Sequence, residues 1–70
     1  MEHRREELQE AARQIGSTVH KLRETVKTLE GKEDPRRYRS QITLAKRRIA
    51  AFALALELIE KELAQTEPPA

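Results

Sequence analysis

The apolar positions of this chain fall into two runs of helical period. The first comprises Leu8, Ala12, Ile15, Val19, Leu22, Val26 and Leu29, with spacings that alternate between four and three. The second comprises Tyr38, Ile42, Ala45, Ile49, Phe52, Leu56, Ile59 and Leu63, with the same alternation. Side chains so spaced share one stripe of an α-helix, because three and four residues bracket the helical turn. Each run therefore predicts a helix, the first over about 3–30 and the second over about 35–65.

The punctuation between them agrees. Gly31 follows the last apolar residue of the first run, where a helix C-terminus commonly takes a residue of positive φ. Asp34 is a suitable N-cap, and Pro35 suits the first helical position, where its missing N–H has no intrahelical partner. Two helices joined by so short a loop run antiparallel. The prediction is an all-α fold, a two-helix antiparallel hairpin forming one domain over 1–66. Residues 67–70 are expected to be a disordered tail.

An antiparallel hairpin also fixes which residues lie level. Leu29 pairs with Tyr38, Val26 with Ile42, Leu22 with Ala45, Val19 with Ile49, Ile15 with Phe52, Ala12 with Leu56 and Leu8 with Ile59. The two numbers in every pair sum to 67 or 68, as one continuous seam requires. Gly16 costs about 1 kcal/mol relative to alanine in a helix interior. It lies level with Phe52, so close approach of the ring to a backbone without Cβ is its expected use, with a hinge as the rival.

The second helix holds more apolar residues than its seam needs. Ile49 to Leu56 are apolar without interruption. Once the seam is removed, Leu44, Ala51, Leu54, Ala55 and Leu58 remain, on a second stripe facing away from the first helix. The first helix has no such remainder; its outer positions are Glu, Gln, Arg, Lys, Thr and His. Burying a leucine contributes about 1.5–3 kcal/mol, so Leu44, Leu54 and Leu58 forgo roughly 5–9 kcal/mol if left in water. That is comparable with the whole stability of a small domain. Scattered apolar residues on a surface need no explanation, but an aligned stripe marks an interface. Alanines flanked by leucines suit a helical partner, since small side chains let a second helix approach.

Composition narrows the remaining possibilities. Seventy residues without a cysteine can use neither disulfides nor thiolate metal sites, so a partner is the remaining source of extra stability. The first residues, MEHRREELQE, are charged from position two and lack the apolar segment of a signal peptide. No apolar run approaches the ~18 residues of a membrane span. A soluble, cytoplasmic protein is expected.

The net charge is +2, unevenly spread. Residues 31–48 carry seven basic and two acidic groups, whereas residues 49–70 carry one basic and four acidic. Arg36, Arg37, Arg39, Lys46, Arg47 and Arg48 form the basic segment. Arg36, Arg39, Lys46 and Arg47 fall roughly along one side of a helix and could follow a phosphate backbone or an acidic partner. Against this, Tyr38 belongs to the seam and is not free to stack on bases, and acidic residues of the first helix offset the charge. A solvated basic face is the preferred reading.

No catalytic or cofactor constellation is present. There is no Gly-rich phosphate loop, His3 and His20 are far apart, and the glutamates sit among lysines and arginines at the spacing of surface ion pairs. Ser40-Gln41 resembles the Ser-Gln of small sporulation phosphatases, but Ile42-Thr43-Leu44 follows where their acidic pair belongs. A non-enzymatic protein with no metal and no cofactor is expected.

A polar first helix ending at Gly31, a short loop leading to Tyr38, Lys46 two turns later, and the run Ala51-Phe52-Ala53-Leu54 carry a resemblance over about residues 22–63. The pattern resembles the small co-chaperones of the bacterial type III secretion needle subunit (YscE/PscE type). The resemblance implies a hairpin that packs on a helical-repeat chaperone, the pair keeping the needle subunit monomeric in the cytoplasm until export. It would place Leu44, Ala51, Leu54, Ala55 and Leu58, together with Tyr38, at the contact. The alternative is a self-associating hairpin, a dimeric four-helix bundle, with RNA binding through the basic start of the second helix.

Overall fold

The computed structural model describes residues 5–65; the helical start at 3 and 4, His3 and the tail at 67–70 lie outside the described residues. Helix α1 spans Arg5–Glu30 and helix α2 spans Arg39–Gln65, joined through a turn and a single 3₁₀ turn at Pro35–Tyr38. The fold is all-α, an antiparallel two-helix hairpin, as the two apolar runs predict.

The register follows the pairing rule. The Arg5 guanidinium donates to the Leu63 carbonyl at 3.3 Å, and 5 plus 63 is 68. Ile15 and Phe52, whose numbers sum to 67, line one groove. A cation on the last carbonyls of a helix also complements the negative end of its dipole, so Arg5 serves as a cap for α2 supplied by α1. The Lys46 ammonium meets the Glu30 carboxylate at 3.0 Å and ties the helices near the turn.

Every seam residue of α1 is buried or half-buried, and Leu8, Val19 and Val26 are the most enclosed. On α2 only Ala45 is buried, while Ile42, Ile49, Phe52, Leu56, Ile59 and Leu63 are half-buried. No described side chain is fully enclosed. Two helices can cover only one side of each other, so the large seam residues of α2 stay partly at the margin. The accessible surface is 5988 Å² for an 8.1 kDa chain, whereas a compact monomer of that mass exposes about 4,500 Å².

The turn departs from expectation in three ways. Gly31 does not take a positive φ; its N–H continues the α-helical pattern to the Lys27 carbonyl at 3.1 Å, and Lys32 N–H closes a tighter bond to Leu29 at 3.3 Å. Asp34 makes no side-chain capping bond; its carboxylate faces the Arg36 guanidinium at 3.6 Å, and its carbonyl accepts from Arg37 N–H. The helical segment begins at Pro35 as expected, but its first turn, Pro35–Tyr38, is 3₁₀ and the α-helix proper starts at Arg39. Proline fixes φ and removes a donor, which both helix types tolerate in their first turn.

Gly16 is a further correction. An added Cβ at Gly16 would meet nothing within 4 Å. Gly16 lines a groove with Val19, His20, Arg23 and Ala53, whereas Phe52 lies in the opposite groove beside Gln14, Ile15 and Thr18. Level pairing is correct, but the two residues turn to opposite flanks of the hairpin. Gly16→Ala is therefore expected to stabilise the fold by about 0.5–1 kcal/mol, through the lower backbone entropy of unfolded alanine and its higher helix propensity. Thermal melting should show a rise of roughly 3–6 °C; a fall would mean that the open groove is used.

Candidate functional site

The outward side of α2 carries the chain's unspent apolar surface. Leu44, Leu54 and Leu58 are 46%, 58% and 57% exposed, and they are the exposed large apolar residues of the described chain. Ala51 is exposed between them. From Leu44 to Leu58 is fourteen residues, four helical turns, so the stripe runs about 21 Å along the helix. α1 contributes no exposed large apolar residue to any face.

Two alanines adjust the edges of this surface. Ala55, expected on the outer stripe, is half-buried, because its position lies partway round the helix toward the side that meets α1. Ala50, one residue before Ala51, is exposed and widens the stripe on its other edge. Counting apolar residues at spacings of three, four and seven from Leu44 misses it; the helical angle of each residue relative to the seam would have found it. Tyr38 is half-buried and lines a shallow recess with Lys32, Glu33, Asp34 and Arg37 at the turn end. It stands six residues before Leu44, at the margin of the leucine surface rather than within it.

The basic segment is divided by the turn geometry. Lys46 is engaged by Glu30, and Arg36 by Asp34. Arg36 and Arg39 line one groove with Glu30, Ile42 and Thr43, while Arg37 stands on the other side with Tyr38. The 3₁₀ turn advances by about 120° per residue instead of 100°, so a stripe drawn for a continuous α-helix does not persist through it. Arg48 is exposed at one flank of the leucine stripe, while Arg47, three residues after Leu44 and four before Ala51, is exposed within it. The ion pairs are themselves solvent-exposed and each contributes about 0–1 kcal/mol.

Among the described residues, no three of His, Cys, Asp and Glu converge as metal ligands. No described helix is long and apolar enough to cross a membrane. Shallow, open recesses lie on either side of the seam, one lined by Gly16, Val19, His20 and Ala53 and the other by Gln14, Ile15, Thr18 and Phe52. The arrangement offers an apolar ridge with small residues at its centre and Arg47 set between Leu44 and Ala51, suited to the packing of another helix. Comparison with family models, with curated proteins and with solved structures finds no match to this chain.

Proposed function

We propose that the chain is a non-enzymatic interaction protein whose α2 docks on a helical partner through Leu44, Ala51, Leu54 and Leu58. The observation that carries this reading is the aligned exposure of three leucines on one helix of a hairpin whose other helix exposes none. The small enclosed core points the same way: a hairpin in which no described side chain is fully enclosed has much to gain from a partner that covers the stripe. In its specific form, the partner is the helical-repeat chaperone of a type III secretion needle subunit. The features favouring that form are Gly31 at the end of a polar helix, Tyr38 ahead of α2, Lys46 two turns on, and the run Ala51-Phe52-Ala53-Leu54. The hairpin then acts as a cytoplasmic co-chaperone that stabilises the chaperone in its needle-binding form.

Co-expression with the helical-repeat needle chaperone from the same genome tests this. A stoichiometric complex is expected, and Leu54→Glu with Leu58→Glu should abolish it while leaving the hairpin's helix content unchanged. Absence of a complex with the unaltered chain would remove the chaperone reading. A complex that survives both glutamates would move the docking surface elsewhere.

A further inference from the structure

The outward stripe of α2 has a symmetry that the docking of a foreign chaperone does not require. Leu44 and Leu58 are each seven residues from Ala51, which is two helical turns, so all three share one line on the helix. If two copies of α2 lie antiparallel with Ala51 against Ala51, Leu44 of each copy comes level with Leu58 of the other. The axis crosses at an alanine, where backbones approach most closely, and a leucine pair closes the contact about 10 Å to either side.

Charge selects the same orientation. The first part of α2 carries Arg39, Lys46, Arg47 and Arg48 with no acidic residue, and the last part carries Glu57, Glu60 and Glu62 with one lysine. Parallel pairing would set the four cations against themselves. Antiparallel pairing sets each basic half beside the acidic half of the other copy. Arg47 then lies on the same flank as Glu57 of the second copy, two residues from level. Glu57 is held within its own chain only by an exposed contact to Lys61 at 3.7 Å, a weak class of ion pair that exchanges readily. Area is also sufficient: the chain exposes 5988 Å², about 1,500 Å² more than a compact monomer of its mass. A standard interface takes about 800 Å² from each side.

We propose that, when no other partner occupies α2, a second copy of this chain does, giving a twofold dimer in which two antiparallel α2 helices pack centrally on Ala51 and the α1 helices lie outside. The proposal rests on the reading of this stripe as a docking surface, and not on the identity of the foreign partner. The dimer is then the storage form of the free protein, and the foreign helix must displace a copy of the chain from the surface it needs.

The chain contains no cysteine, so introduced thiols report geometry without interference. Ala51→Cys is expected to form a disulfide-linked dimer of twice 8.1 kDa on mild oxidation. Leu44→Cys and Leu58→Cys should each fail to cross-link alone, since like positions stand about 21 Å apart along the axis. Mixed together, they should cross-link to one another. Light scattering on the unaltered chain should give the doubled mass over a wide concentration range. Self-cross-linking of Leu44→Cys or Leu58→Cys alone would overturn the antiparallel arrangement, and a monomeric mass would overturn the dimer. A monomer that still binds the needle chaperone sinks this inference alone. Antiparallel cross-linking of the cysteine variants, together with an unaltered chain that ignores the chaperone, supports it and removes the chaperone reading.

Discussion

Ala45→Glu is expected to abolish the fold. Ala45 is the buried residue of α2, 7% exposed, level with Leu22 and flanked on its own stripe by Ile42 and Ile49. A glutamate there must either lose its hydration without a basic partner or force the helices apart. An uncompensated buried charge costs about 3–5 kcal/mol, and a core this small supplies only about 3–5 kcal/mol in total. The two magnitudes are equal, so most of the helical circular dichroism should disappear at neutral pH and room temperature. Leu58→Glu provides the contrast: the same carboxylate at a position 57% exposed should leave the hairpin helical. A folded Ala45→Glu variant would show that the seam is looser than its burial implies.

The second large effect is on the concentration dependence of melting. If α2 is covered by another copy, folding and association are linked, and the melting temperature rises with protein concentration. Each tenfold increase adds about 1.4 kcal/mol per dimer, or about 0.7 kcal/mol per chain, hence roughly 3–6 °C. Across three such steps the shift approaches roughly 9–18 °C, more than any single exposed substitution would produce. Leu54→Glu with Leu58→Glu should flatten this dependence, since each copy would lose two leucines from the contact and set a carboxylate against Leu44 of the other. A melting temperature independent of concentration in the unaltered chain would mean that the half-covered seam is stable alone.

The register was legible because a two-helix hairpin has a single packing decision to make. Apolar residues at alternating spacings of three and four can satisfy only one face, and the constant sum of paired numbers then follows from antiparallel geometry. The same rule would have found the bond from Arg5 to Leu63, had it been extended from apolar pairs to polar ones. What failed were finer choices of direction around the helix rather than height along it. Gly16 and Phe52 are level yet turn to opposite grooves, and Ala55 is on the outer stripe by spacing yet half-covered by angle. At the turn, several geometries satisfy the same residues: Asp34 can cap a helix or face Arg36, and Pro35 can open an α-helix or a 3₁₀ turn. Such choices differ by about 1 kcal/mol or less, too little for residue type alone to decide.

The nested pairing also orders events in time. Val26 and Ile42, near the turn, close a loop of about 15 residues, whereas Leu8 and Ile59 close one of about 50, and the longer closure costs more chain entropy. The hairpin therefore zips from Gly31 outward and opens from Arg5 and Leu63 inward. Since Leu54 and Leu58 sit on the half that forms last, a helix laid across them holds shut the end that would otherwise open first. A partner on this surface acts as a latch on unfolding and leaves the rate of folding to the turn.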